Sequence, residues 1–392
     1  MLSSPITLIG ADIRGSQARS IRILDSRIAS LGERPQPGDR VLDLGGARVL
    51  PGLINAHDHL QLNGIPPLEP ARLYLNVREW VADVNLHRRA DPEFEARIAV
   101  AREQRLVSGG IKNLLSGVTT VAHHDALFPT LFEPHYPIRV LRHFGWSHSL
   151  GVDGEEAVRA SYHATPGDWP WIIHAAEGLD DAAAAEFDQL ESIGCIKPNT
   201  VIVHGIALSA SQRARLIAAR AALVWCPSSN VHLFGRSATV EDLLIAGRVA
   251  LGSDSRMSGA RDLLDELRLA RELIAIDETA LEALVTRDGA RLLRLADRGR
   301  LAVGARADLL ILPANLPLSQ AHRADIRLLL KDGRPCYGDR EFAEQLLPAS
   351  EWAQLRVDGV AKVLATGIAA LVGKWQASEA GVEIHAAQWR AA

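Results

Sequence analysis

The chain has 392 residues, of which 47% are hydrophobic and 23% charged, with a formal net charge of -4 and a pI near 6.4. That length suits one large α/β domain with a smaller one attached, and the charge offers no basic field for nucleic acid or an anionic membrane, so partners of either kind are not expected. Three cysteines, Cys195, Cys226 and Cys336, are odd in number and widely separated, which argues against a disulfide framework. Asp12 and Arg14 interrupt any apolar leader, and no charge-free apolar stretch reaches the roughly 18 residues of a membrane span. The expected location is cytoplasmic.

Residues 1–51 carry short alternating runs, "ITLIGADI", "SIRILDSRIASLG" and "RVLDLGGARVLPG", punctuated by Gly and Asp. These predict small strands with tight turns. The next stretch, "VLPGLINAHDHLQLN" over 49–63, ends an apolar run with His57 and His59. On a strand, residues i and i+2 face the same way. Two buried imidazoles side by side need a partner, and a shared metal ion supplies one. Taken alone, an HxH in a solvated turn is an equally good account.

From residue 52 the texture changes. Apolar runs "VTTVAHH" (118–124), "IRVLRHFGW" (138–146), "PWIIHAAEG" (170–178), "TVIVHGIAL" (200–208), "ALVWCPSSN" (222–230) and "RVALGSDS" (248–255) alternate with Ala-, Glu-, Arg- and Leu-rich segments. The alternation predicts βα units and a parallel sheet. The span 52–300 matches the roughly 250 residues of a (β/α)₈ barrel. A doubly wound sheet would want a Gly-rich phosphate loop after its first strand, where this chain has histidines. Between "IRVLRHFGWSHSL" and "WIIH" there is room for a helix but hardly for a whole βα unit, so the fourth strand is expected to be missing or distorted.

Residues 301–340, with "GRLAVGARADLLILPA" and "DIRLLLKDGRPCYGD", again read as strands. Strands at both ends imply one small β-domain built from the two termini. Residues 341–392 are expected to form a helical tail, with Val360, Val363, Leu364, Ile368, Leu371 and Val372 on one stripe docked against the body.

His57, His59, His174, His204 and Asp254 all fall at predicted C-terminal strand ends, which converge on one face of a barrel. Three histidines and a carboxylate around an open position suit a borderline-soft divalent ion such as Zn²⁺. Glu177, three residues beyond His174, is placed to move protons without being a ligand; alone, it would pass for a solvated helix-start glutamate.

The pieces "PGLINAHDH", "SGVTTVAHHD", "HAAEG", "VHGIAL", "CPSSNVHLFG", "VALGSDS" and "TRDGARLLRLADRGRLAVGARADLLIL" together resemble the amidohydrolase superfamily. The similarity is to its cytosine, guanine and adenosine-derivative deaminases and triazine hydrolases. The resemblance leaves out about 61–110 and the C-terminal 50 residues. It implies a distorted (β/α)₈ TIM-like barrel with a β-sandwich from both chain ends. It also implies His57, His59, His174 and Asp254 as metal ligands, Glu177 as proton shuttle, and His204 holding the attacking water or polarising the group under attack. Dinuclear relatives bridge their metals with a barrel lysine. None occurs between Lys112 and Lys197, so one ion is expected, Zn²⁺ with Fe²⁺ as the alternative. A homodimer follows from the resemblance alone. Where nucleoside-type deaminases carry an "HSPY"-like motif this chain shows "GWSHSLG" much earlier, so purine-nucleoside recognition is not carried over.

The expected reaction is attack of metal-activated hydroxide on a small nitrogen heterocycle, releasing an exocyclic amine as ammonia. Cleavage of an amide, cyclic amide or halide is the runner-up, and a noncatalytic scaffold the third reading. Asn63, Tyr74, Trp80, His124, His148, Ser228, Asn230 and Arg256 are candidates for contacting the small-molecule substrate, and Trp80 and Trp146 for stacking on it. Adjacent His123 and His124 face opposite sides of a strand, so at most one sees the site.

Overall fold

In the computed structural model, residues 4–70 and 72–384 are described; residues 1–3 of the expected N-terminal segment and 385–392 of the expected tail lie outside them. The alternating N-terminal runs form Ile6–Ile9, Ser20–Leu24, Arg27–Leu31 and Arg40–Asp43. Ser20–Leu24 pairs antiparallel with both Ile6–Ile9 and Arg27–Leu31, while Arg40–Asp43 joins Ile6–Ile9 in parallel. Asp25 and Ser26 close one hairpin with φ of 46° and 69°, the twist a two-residue turn needs.

Arg48–Pro51 leaves this sheet and pairs with Leu309–Leu312 at the edge of a seven-stranded antiparallel sheet. Leu8, Ile21, Ile28 and Leu42 from the first sheet are buried in one cluster with Leu309, Ile311, Leu328 and Leu330 from the second. The two chain ends thus share one apolar core.

The seven-stranded sheet also takes in Trp352–Val357, Val360–Ala365 and Val382–Ile384. This corrects the helical reading of the tail, where α-helix among the described residues is confined to Arg340–Leu346 and Thr366–Lys374. Adjacent Val363 and Leu364 are both buried, but in different clusters. A strand covered on both faces reads as a continuous apolar run, and here it continued the stripe of the following helix.

Between these terminal sheets, parallel strands occur in two arcs. Leu53–Asp58, Val118–His123 and Arg139–Val140 form one; Gly145–Trp146, Trp171–Ala175, Thr200–His204, Ala222–Trp225 and Val249–Leu251 form the other. Helices such as Arg102–Leu115, Asp181–Ser192 and Ala210–Ala218 intervene, capped by side chains including Asp180 and Ser209. Arg139–Val140 and Gly145–Trp146 are both very short and follow one another without a helix. The expected fourth strand thus stands as two residues, Gly145–Trp146, with no helix before it. At the other junction, the backbone N–H groups of Ser253 and Asp254 both donate to the carbonyl of His57, at 3.0 and 3.1 Å. Gly252 permits that approach, because a Cβ there would lie 2.7 Å from the His57 Cβ. No helix among the described residues is long and apolar enough to cross a membrane.

Candidate metal centre and substrate pocket

The first strand of the first arc delivers His57 and, just past its end, His59; the second strand of the second arc delivers His174. The Nε2 atom of His174 lies 3.3 Å from Nε2 of both His57 and His59. Asp254 Oδ1 stands 3.7 Å from Nε2 of each of the first two histidines. Ligand bonds of about 2.0–2.1 Å in a tetrahedral site place donor atoms about 3.4 Å apart, so these separations have the right scale for one small divalent ion.

Charge leads to the same conclusion. Burial pushes the His57 imidazole down to about 4 and holds that of His174 well below its usual range. The Nδ1–H of His174 donates to the His148 carbonyl at 2.8 Å, which leaves the Nε2 lone pair aimed into the cluster. Burial also opposes a charge on Asp254, but the ring nitrogens of His57, His59 and His204 more than offset it, so its carboxyl lies well below the ordinary range. Neutral imidazoles cannot all donate to this carboxylate while presenting lone pairs to one another. A cation shared by all four groups resolves both conflicts.

His124 belongs to the same group of closely placed histidines, but its ring stacks on His174 with centroids 4.3 Å apart and planes 19° from parallel. Its Nε2–H donates to the Ser147 carbonyl at 2.9 Å, so its tautomer is fixed with Nδ1 bare. His123 turns the other way, with Nδ1 near the Leu60 N–H and the Asp58 carbonyl.

His204 ends its strand with φ of 73°, and Asp254 has φ of 50°. Non-glycine residues in the left-handed region cost about 1–3 kcal/mol each and cluster at functional sites. His204 Nδ1–H donates to Asn230 Oδ1 at 2.9 Å, which turns Nε2 toward Glu177 Oε1, 3.5 Å away. Burial, with the charges of Asp254 and Glu186 nearby, holds the Glu177 carboxyl well above its usual range.

Around these groups lies a cavity of about 260 Å³. Trp80, Trp146, His124 and His148 line it, together with Leu62, Val77, Leu233 and Met257. Larger cavities of about 660 and 980 Å³ lie elsewhere, without converging metal-ligating groups among the described residues, so chemistry rather than size marks the site.

Five residues expected to meet substrate are placed elsewhere. Asn63 is buried, donating to Asp58 at 2.6 Å and accepting from Lys112 at 2.7 Å. Ser228 is hydrogen-bonded to Glu266 and the Ala260 N–H. Asn230 holds His204, and Arg256 is bound to Glu379 at 2.5 Å. Tyr74 is buried behind Trp80, its hydroxyl donating to Asp83. A loop polar residue near a metal motif has no sequence mark that separates touching the substrate from holding what does. Asn230→Leu should accordingly leave metal content intact and lower kcat/KM about 10- to 100-fold by freeing the His204 ring, as checked by metal analysis alongside kinetics.

An α/β scaffold with buried histidines and a carboxylate at its strand ends defines a metal-centred hydrolase-type site. The chain belongs to the amidohydrolase family, whose model matches residues 102–337. It is 30% identical to a 5-methylthioadenosine/S-adenosylhomocysteine deaminase of Haloarcula marismortui, over 82% of this chain and 89% of that one. It is 29% identical to an 8-oxoguanine deaminase of Pseudomonas aeruginosa, over 92% and 94%. Among solved structures, a zinc-bound adenosine deaminase from Xanthomonas campestris superposes with a TM-score of 0.72 at 18% identity, covering 87% of this chain and 94% of that one. A mutant atrazine chlorohydrolase from Arthrobacter aurescens, complexed with zinc and atraton, gives 0.70 at 18% identity, over 84% and 95%.

Proposed function

We propose that the protein is a mononuclear metal-dependent deaminase that hydrolyses a carbon–nitrogen bond on a small aminated heterocycle and releases ammonia. The meeting of three imidazole lone pairs and one carboxylate, with the Glu177–His204 pair at the same cavity, carries this reading. The deaminase names of the relatives agree with it.

His57, His59, His174 and Asp254 would hold the ion, Zn²⁺ by the nitrogen-rich donor set with Fe²⁺ as the alternative. A divalent ion bound there supplies Lewis acidity and lowers the pKa of a coordinated water toward about 7. Asp254 takes the proton that the attacking water gives up. Glu177 gives the proton of its carboxyl to a ring nitrogen, then passes the proton of the newly added hydroxyl to the departing amine, and the proton held by Asp254 restores it. His204, its tautomer set by Asn230, stabilises the charge that develops at the attacked carbon's substituents. Trp80 and Trp146 confine the planar ring.

We also infer that the two arcs close as a distorted (β/α)₈ barrel over 52–300, supported by the backbone bonds from Ser253 and Asp254 to His57. Residues 1–51 and 301–340 would then pack as a β-sandwich around their shared core, with Trp352–Val357, Val360–Ala365 and Val382–Ile384 completing its larger sheet. A cytoplasmic location is supported by three cysteines that are all buried and free.

The test is ammonia release from Zn²⁺-reconstituted protein across aminated pyrimidines, purines, pterins and triazines. Turnover is expected with at least one class and is expected to vanish on chelation. Silence from protein holding one equivalent of metal would favour the runner-up, cleavage of an amide, cyclic amide or halide, for which the chlorohydrolase is a structural neighbour.

A further inference from the structure

The spacing within "HAAEG" sets a geometric problem that a strand alone cannot solve. Residues three apart on a continuing strand face opposite sides, so Glu177 would point away from the cavity that His174 lines. The strand instead stops at Ala175, and Ala176 takes φ of 54°. Past this turn, Glu177 lines the same cavity as His174 and comes within 3.5 Å of His204. A left-handed alanine is strained where a glycine is not, so its neighbours must hold it.

Ala176 is fully buried, and both of its backbone groups are tied. Its carbonyl accepts from the Ala207 N–H at 3.0 Å, and its N–H donates to Glu186 Oε2 at 2.7 Å. Among the described residues no other side chain is bonded to the backbone of Ala176. Glu186 stands on the helix Asp181–Ser192, whose start is fixed by Asp180, a side chain that accepts from the Ala183 N–H at 2.9 Å and from Asn76 Nδ2 at 2.6 Å. Burial pushes the Glu186 carboxyl up and the bond from Ala176 pulls it back. Either protonation state keeps an oxygen that accepts. On the far side of the turn, the Glu177 carbonyl accepts from the Val77 N–H at 3.1 Å.

We propose that Glu186 is a positioning residue for Glu177: it stabilises the left-handed turn at Ala176 and thereby aims the Glu177 carboxyl at the reacting group. The kinetic part of this proposal rests on the reading of Glu177 as the proton-transfer group of a deaminase.

The experiment compares Glu186→Ala, Glu186→Gln, Ala176→Gly and the double variant Ala176→Gly/Glu186→Ala with the wild type. Crystal structures of the zinc-loaded proteins are read together with kcat, KM, metal content and Tm. Glu186→Ala is expected to shift the Glu177 carboxyl about 1 Å or more from its approach to His204. It should lower kcat about 10- to 100-fold, the cost of a misplacement of that size, with KM and bound metal within about twofold. Glu186→Gln keeps an acceptor oxygen and should retain most of the rate. Glycine adopts the left-handed turn without strain, so Ala176→Gly should recover most of what Glu186→Ala loses, a coupling between the two positions. Glu186 is only half-buried, so its truncation should leave the fold intact, and the double variant remains a test if it does not. A Glu177 that stays in place in Glu186→Ala overturns the proposal, as does a loss of kcat that Ala176→Gly leaves undiminished. An equal loss in Glu186→Gln would assign the effect to the charge of Glu186 and overturn it as well. The structures decide without a substrate. Displacement of Glu177 in Glu186→Ala, reversed by Ala176→Gly, upholds the proposal even where the wild-type protein releases no ammonia, a result that sinks the deaminase reading alone.

Discussion

Glu177→Gln is expected to keep its full complement of metal and its thermal stability while losing about 10²- to 10⁴-fold in kcat, the range of one general acid–base group. The side chain is 7% exposed and is not among the four groups that meet at the metal centre. Glutamine preserves its shape but has no acidic proton to give. A neutral amide adds no charge to a site whose burial already disfavours one, so Tm should stay nearly constant. Turnover, metal content and Tm measured on one preparation separate the outcomes. A rate within about threefold of wild type would remove Glu177 from proton transfer. Loss of metal would instead make it a ligand, against its 3.5 Å approach to His204.

The same residue illustrates what sequence makes legible. "HAAEG" and "INAHDH" place chemistry at the ends of apolar runs, and a strand end has one exit direction, so His57, His59, His174 and Asp254 could be grouped before any fold was known. Sequence could not foresee which polar neighbours face the pocket. Asn63 and Arg256 follow metal-motif residues closely in the chain, yet they point behind the site because Lys112 and Glu379, remote in sequence, hold them there. The strand Val360–Ala365 lacks a period-two signal because its consecutive residues Lys362, Val363 and Leu364 are all buried, on both faces. The hydrophobic wall around Trp80 comes largely from the stretch outside every motif. One signal was available and unused: a lysine inside the apolar helix "LVSGGIKNLL".

That lysine leads to the second large effect. Asp58 sits between His57 and His59, on the opposite face of the strand from their shared direction. Its Oδ1 accepts from Asn63 at 2.6 Å, and its Oδ2 from Asn113, Asn55, Ser253 and Lys112 at 3.0, 3.1, 3.1 and 3.3 Å. Both members of the Lys112–Asp58 ion pair have fully buried side chains. Such a pair adds little net stability over an apolar alternative, but removing one partner strands the other charge. Lys112→Met should therefore cost about 3–5 kcal/mol in urea unfolding, and Asp58→Asn a similar amount.

The double variant leaves no charge unpaired and should cost less than the sum of the two, with a coupling of about 0.5–3 kcal/mol. Because Ser253 precedes Asp254 and Asp58 separates two histidines, each single change should also weaken metal binding about 10- to 100-fold in competition with a chelator. Additive losses would mean that the charges do not sense each other. Unfolding losses without weaker metal binding would confine the network to stability. A loss in both, partly restored in the double variant, is the result expected of a buried ion pair that sets the spacing of the histidines above it.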